Sequence, residues 1–527
     1  MAAGALAAAG PRAAFAQDAT PGAGDLAANP GTVTQARVDA MLAQLPDLAQ
    51  SLVDGSPGLP GMAVAVVYQD KVIFTQGFGV RDTTTGEAVD ADTIFQMASV
   101  SKSLASTVVS AVVGDGGITW DTLVSDLDPA FRLKDDYASS QLTIRDTFCH
   151  RSGMPDHTGD VLEDLGFDRD EVLFRLRFQD PFSSFRSHYE YTNFVLTEGA
   201  VAAAMSVGES WEDLSAHRLY EPLKMTRSSS RFDDFFNDPN HAATHVQVDG
   251  KWEPKFVRRP DAQSPAGGAS STANDMAQWL RLQLGSGTVD GQEIVNAAAI
   301  GETHIPHMVS TMPANPTLNN ASFYGLGIGV SNDGFGKIRW SHSGAFALGA
   351  GTTIFMLPQE GFGIAAMGNG AANGRVEALC LSALDLVQTG AIQHDYGQLL
   401  IPVFEAEMAP AYGVEDNYAT PPANPTPALP NDIYVGHYFN DFYGDVMIAE
   451  DGDGLVIKIG PEQTAYPMTF YDRDLFLFVP PGENGGRAST MVFSIGIDGL
   501  ASPVAVEYLP TKSADGVLGR KVENTGG

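Results

Sequence analysis

The chain has 527 residues, 44% of them apolar and 18% charged, which is enough for two or more domains around a full hydrophobic core. Its 64 acidic and 31 basic residues give a net charge of −33. Phosphate recognition needs clustered Lys and Arg, so nucleic acid and anionic membranes are not expected partners, and the acidity reads as a strongly solvated surface. Two cysteines, Cys149 and Cys380, are too few for a disulfide framework or a zinc cluster and read as buried free thiols.

Met1–Ala16 is alanine-rich and ends Ala14-Phe15-Ala16, a pattern resembling a signal-peptidase site. It predicts a secreted or periplasmic bacterial protein, although the usual basic start is missing. Residues 17–35 read as a flexible lead. Apolar residues then follow a helical spacing from Val38 to Leu52. Met62–Val67 and Lys71–Phe74, on either side of Tyr68-Gln69-Asp70, read as a hairpin. Phe95–Ala98 reads as a strand running into a helix that ends at Gly114-Asp115-Gly116-Gly117.

Ser99-Val100-Ser101-Lys102 stands at that junction. On a helix, positions i and i+3 share a face, so the lysine amine can lie beside the serine hydroxyl. Serine is a poor nucleophile until a base takes its proton, and lysine serves as that base only when its surroundings keep it partly neutral. Of the ten lysines, only Lys102 has a serine three residues earlier.

Residues 120–285 read as mainly helical, with Leu142–Cys149, Phe194–Ala204, Trp211–Leu214 and Met276–Leu284. Tyr191-Thr192-Asn193 precedes the second of these. A tyrosine beside a Ser–Lys pair can relay a proton, and an asparagine amide can orient the lysine or hold a carbonyl. An unpatterned loop carries His157-Thr158-Gly159, read as less informative than the later His342-Ser343-Gly344. That second motif follows the strand-like Ile338–Trp340, where its polar edge would face a cleft and Gly344 would let a substrate approach the backbone. Thr352–Leu357 and Phe362–Met367 read as strands and Val376–Val387 as a closing helix. Strands at both ends with helices between them imply one sheet built from distant parts of the chain. Close histidines at His304 and His307 are separated by Pro306 and are not read as a metal site.

Thr420–Pro430 is a proline-rich linker. Beyond it, Tyr434–Tyr438, Asp445–Ile448, Leu455–Ile459, Leu475–Val479, Thr490–Ile495 and Ala505–Leu509 alternate with Gly, Asp and Asn turns, which reads as a small all-β barrel or sandwich. A second Y-x-N, Tyr438-Phe439-Asn440, falls there. No stretch of eighteen apolar residues indicates a membrane span.

Taken in order, these segments resemble the β-lactamase-related serine hydrolases: class C β-lactamases, D-stereospecific peptidases and carboxypeptidases, and related esterases. S-x-x-K is a known signature of serine β-lactamases and penicillin-binding proteins. The likeness covers about residues 35–390 and includes Gly61–Val67, Gly77-Phe78-Gly79, Thr93–Ser99, Leu142–Asp146, His150–Pro155, Tyr220–Met225 and Pro265-Ala266-Gly267-Gly268. The resemblance implies an α/β fold, a β-lactamase/transpeptidase-like antiparallel sheet flanked by helices with a mainly helical subdomain. It spans residues 36–415 and is followed by a linker at 416–432. Residues 433–527 resemble the lipocalin-like modules appended to some members.

The same likeness implies Ser99 as the acylated nucleophile, Lys102 as its base and Tyr191 as partner in proton transfer. Asn193 corresponds to the second-motif asparagine. His342, Ser343 and Gly344 stand where many members have Lys-Thr-Gly, and the backbone N–H groups of Ser99 and Ala345 would form the oxyanion hole. A histidine in place of lysine weakens the case for a carboxylate-bearing antibiotic and favours a peptide or ester; Arg339 or Lys337 is the remaining candidate for a cation near the site. The expected activity is hydrolysis of a small-molecule or peptide substrate without metal or organic cofactor, with self-association as a further expectation. Competing expectations are a β-lactamase or D-Ala-D-Ala carboxypeptidase, and a non-catalytic peptidoglycan-fragment sensor.

Overall fold

Gly61–Tyr68 (β1) reads Gly-Met-Ala-Val-Ala-Val-Val-Tyr and is buried at every position. A strand with no polar face needs cover on both sides, and the rest of the chain supplies it. The computed structural model describes residues 29–315, 320–409, 412–413, 418, 420–510 and 516–521. The proposed leader Met1–Ala16 lies outside them, as do residues 17–28 of the lead. The chain divides into two compact units, one holding residues up to 128, 143–150 and 196–408, the other 129–142, 151–195 and 409 onward.

In the first unit, β1 is followed by Lys71–Gly79 (β2), and six strands come much later. They are Met308–Thr311 (β3), Ser322–Tyr324 (β4), Gly329–Asn332 (β5), Ile338–Phe346 (β6), Ala350–Leu357 (β7) and Phe362–Gly368 (β8). Their order across the sheet is β2-β1-β8-β7-β6-β5-β4-β3, antiparallel throughout. The two-residue period decides what lies on each face. Met62, Val64 and Val66 pack with helices Gln35–Asp54 (α1) and Arg375–Thr389 (α5). Ala63, Ala65 and Val67 pack on the other side with Ser101–Gly114 (α2) and Ala273–Leu284 (α4).

Helix α1 starts at Gln35, where the Thr34 hydroxyl caps Arg37 N. The residues just before it are tied down: Gly31 N donates to Gln388 O, and Val33 is buried. Helix α2 is buried all round from Ser101 to Val112. It tolerates serines and threonines because they bond inward or along the helix: Ser103 to Gly327 O, Thr107 to Ser103 O, Ser110 to Ser106 O. Both cysteines are buried free thiols. Among the described residues no helix is long and apolar enough to cross a membrane.

The second unit contains a closed eight-stranded barrel in plain up-and-down order. Its strands are Gly436–Asn440 (β9), Gly444–Asp451 (β10), Gly454–Ile459 (β11), Thr464–Asp472 (β12), Leu475–Phe478 (β13), Ser489–Ile495 (β14), Ala501–Val506 (β15) and Val517–Arg520 (β16). Closure comes from β16 pairing with β9. This is the lipocalin type of architecture, here with a packed interior. Tyr434, Tyr438, Phe476 and Phe493 meet there edge-on or tilted, and Tyr434 belongs to a short helix, Asn431–Tyr434, rather than to a strand. The second Y-x-N is thus structural: the Tyr438 hydroxyl donates to Tyr434 O and Ala501 O.

Residues 151–195 pack with this barrel. The Asp164 carboxylate accepts from Glu483 N and Asn484 N, both at 2.9 Å, and from the Asn484 amide at 2.8 Å. Arg175 donates to the carbonyls of Asp441 and Phe442. Asp164→Ala strips two backbone donors and one amide of their acceptor. A loss of about 1–3 kcal/mol is expected, read as a lower urea midpoint at unchanged slope.

Candidate active site

The nucleophile region is pinned before the helix begins. Phe95–Gln96 pairs with Ser270–Ser271, apart from the main sheet, so the expected strand is only two residues long. Met97 N donates to Ala269 O at 2.8 Å, and Met97 O accepts from Thr352 Oγ1 at 2.7 Å. Ala98 then takes φ +44°, a left-handed value that costs a side-chain-bearing residue energy and is held only by its surroundings. Ala98–Val100 forms one 3-10 turn, and α2 starts at Ser101. Ser99 therefore sits at the mouth of the helix. Of the twenty residues from Thr93 to Val112 it alone is not buried.

Lys102 is fully buried. Its Nζ lies 3.1 Å from Ser99 Oγ and donates to Ala266 O at 2.9 Å. Ala266 belongs to the turn Ser264–Gly267, and that turn is fixed to α2 by Ala269 N donating to Ser101 Oγ at 3.0 Å. The amine is thus aimed at the hydroxyl from two sides.

The third motif lies inside a strand, not after one. β6 continues through Phe346, so alternation sends His342 and Gly344 toward α2 and sends Ser343 the other way. Ser343 Oγ is 2.9 Å from Thr353 Oγ1, on the face away from the nucleophile. Gly344 is in direct contact with the site: a Cβ there would stand 2.7 Å from Ser99 N and 2.6 Å from Met97 O. Ala345 follows and pairs with Gly351 of β7, its side chain packing near Leu400 and Phe404 on the far face.

His342 is buried between two partners. A carbonyl can only accept, so Nδ1 carries the proton and donates to Ser343 O at 2.8 Å; Nε2 then accepts from the Tyr324 hydroxyl at 2.7 Å. Burial, and next the nearby Lys102 charge, push its pKa down to about 3. The ring is neutral across the physiological range. Neither other candidate cation replaces it: Arg339 lies over the Phe355 ring, and Lys337 pairs with Glu360 at 2.6 Å. Tyr324→Phe removes the hydroxyl that His342 Nε2 accepts from. It is expected to cost about 1–3 kcal/mol of stability in a denaturant titration.

Tyr191 and Asn193 belong to the second unit. Tyr191 is buried, its N–H donating to the Asp156 carboxylate and its carbonyl accepting from His157 N. Asn193 opens the helix Asn193–Met205 (α3), and its amide donates to Asp160 Oδ2 at 2.8 Å. The same oxygen is 2.7 Å from His157 Nδ1, and the His157 ring lies 5.7 Å from that of Tyr191. The loop carrying His157, with left-handed φ at His157 and Gly159, therefore wraps the Y-x-N motif. Structure thus brings Ser99, Lys102, His342 and Gly344 together in one unit, and Tyr191 and Asn193 together in the other.

Three residues of these sites carried little sequence signal. Ala266 acts through a carbonyl, which any residue supplies. Tyr324 lies on a three-residue strand. Asp160 is one carboxylate among 64 acidic residues.

The family model described as Beta-lactamase matches residues 38–388. The chain belongs to that family. A second model, described as Domain of unknown function (DUF3471), matches residues 420–515. The unguisins hydrolase ungD' of Aspergillus campestris is 24% identical over 490 residues, 89% of this chain and 90% of that one. Penicillin-binding protein 4 of Amycolatopsis lactamdurans is 28% identical over 252 residues, 46% of this chain and 64% of that one. Among solved structures, the octameric penicillin-binding protein homologue from Pyrococcus abyssi aligns with a TM-score of 0.55 at 16% identity, covering 92% of this chain and 99% of that one. Family and relatives make the chain a hydrolase, and the structural likeness confirms the fold.

Proposed function

We propose that this hydrolase cleaves a peptide, amide or ester bond through a Ser–Lys–Tyr site and an acyl-enzyme intermediate. The observation that carries the reading is the 3.1 Å contact of a fully buried lysine amine with the one accessible residue of the segment, Ser99. In this reading Lys102, with Tyr191, takes the Ser99 proton as Oγ attacks the carbonyl carbon. The N–H groups of Ser99 and Ala345 hold the oxyanion while the C–N or C–O bond breaks. The proton passes to the leaving group. Water, deprotonated in turn by the same pair, then releases the acyl group and restores Ser99.

Substrate class turns on the third corner. A neutral His342 with both nitrogens engaged gives no cation for the carboxylate of a penicillin or of a D-Ala-D-Ala terminus. This favours a substrate lacking a carboxylate at that place. Two relatives that match over most of the chain are named unguisins hydrolases. A panel of nitrocefin, short-chain p-nitrophenyl esters and D- and L-aminoacyl amides tests the reading. Esters or amides are expected to turn over faster than nitrocefin. The reverse order replaces this reading with a β-lactamase, and a stable acyl adduct without turnover replaces it with a sensor.

A further inference from the structure

The turn that carries Ser99 is tied to the main sheet by a side chain that the chemistry above does not use. Thr352 of β7 is fully buried, and its Oγ1 donates to Met97 O at 2.7 Å. Met97 O also accepts from Val100 N at 3.1 Å, the bond that closes the 3-10 turn over Ser99. A carbonyl oxygen has two lone pairs, so one is used by the turn itself and the other by the sheet. Met97 N is held in turn by Ala269 O at 2.8 Å. With its N–H and its C=O both fixed, Met97 keeps Ala98 at φ +44°.

On the sheet, Thr352 stands opposite Gly344 in the pairing of β6 with β7, and Gly351 stands opposite Ala345. A Cβ at Gly344 would lie 2.6 Å from Thr352 Oγ1, 2.6 Å from Met97 O and 2.7 Å from Ser99 N. The hydroxyl therefore sits where three stretches of backbone meet: its own strand, β6 and the nucleophile turn. Alternation turns the next residue, Thr353, to the other face, where it meets Ser343.

We propose that Thr352 is a positioning residue for acylation: its hydroxyl sets the separation between the turn holding the Ser99 N–H and the strand holding the Ala345 N–H. The inference rests on the Ser99 reading above, in which those two groups hold the oxyanion. Two donors on separate segments stabilise one developing charge only if the gap between them is fixed beforehand. The ladder of the sheet holds β6 to β7, and the bond from Thr352 to Met97 O joins β7 to the turn. Without that bond the turn keeps its own closure by Val100 and its tie to Ala269, so it stays folded while losing its register against β6.

The test compares three variants of the full chain on the ester or amide that the wild type turns over fastest. Thr352→Ser keeps the hydroxyl and drops a methyl. Thr352→Ala drops both. Thr352→Val puts a methyl where the hydroxyl was, and a carbon needs about 3.3 Å from a carbonyl oxygen where the hydroxyl stands at 2.7 Å, so Met97 O is pushed away. Per folded molecule, kcat should fall about tenfold in Thr352→Ala and up to about a hundredfold in Thr352→Val, with KM little changed, while Thr352→Ser stays within about threefold of wild type. The rate of fluorophosphonate labelling reports attack by Ser99 directly and should follow kcat through the series. A merely structural role would lower the urea midpoints without this split between hydroxyl-bearing and hydroxyl-free variants. A ratio below about fivefold between Thr352→Ser and Thr352→Ala overturns the proposal, and this comparison decides even if Thr352→Val does not fold. Lost turnover in Ser99→Ala beside near-equal rates in Thr352→Ser and Thr352→Ala strikes this inference alone, whereas persistent turnover in Ser99→Ala strikes the functional reading.

Discussion

Ser99→Ala is expected to lower turnover by about 10⁶-fold, the scale seen when a hydrolase loses its nucleophile. Covalent labelling by a fluorophosphonate probe should vanish with it. The fold should remain, because the Ser99 side chain is half-exposed and its neighbours are held by other groups: Met97 by Ala269 and Thr352, Ser101 by Ala269. Lys102 keeps its bond to Ala266 O in the variant, so the buried amine is not left wholly unpaired. Unchanged circular dichroism with lost turnover is the expected pair of results. Persistent turnover at a tenth of the wild-type rate would falsify the assignment of the nucleophile.

Gly344→Ala should be nearly as damaging, by a different route. The added methyl stands 2.6 Å from Met97 O, 2.6 Å from Thr352 Oγ1 and 2.7 Å from Ser99 N. Two of these are backbone atoms that cannot rotate away, so β6 or the 97–99 turn must move. Displacing an oxyanion donor typically costs about 10²–10³ in kcat. Overpacking of this kind costs about 1–3 kcal/mol of stability. Both effects belong to one substitution and are measured by steady-state kinetics beside a urea titration. Wild-type kcat in this variant means that Gly344 does not set the distance between β6 and the nucleophile.

The Ser99–Lys102 pair was legible because its geometry is local: three residues of chain and one helical turn bring the atoms together. The central strands were legible because burial on both faces leaves an unbroken apolar run, as in Met62–Val67. What failed was alternation where the residues have weak strand preference. His342-Ser343-Gly344 reads as the end of a strand, yet the ladder continues to Phe346, and one position of difference turns Ser343 to the opposite face. In the barrel, Thr464–Asp472 was hidden by Pro467 and alternating polar residues, and Val517–Arg520 by its shortness. Grouping residues 151–195 with a barrel some three hundred residues later depends on contacts such as Asp164 with Asn484, which no local pattern announces.

The nearly complete burial of Thr93–Val112 has a consequence for how this protein tolerates genetic change. A saturation scan read by cellular abundance should show almost the whole stretch as intolerant, because nearly every substitution there alters a packed interior. At Ser99 the two readouts should part: small residues should keep the protein at normal levels while erasing its activity. A library scored on both scales would thus pick out one residue in twenty with no knowledge of the chemistry.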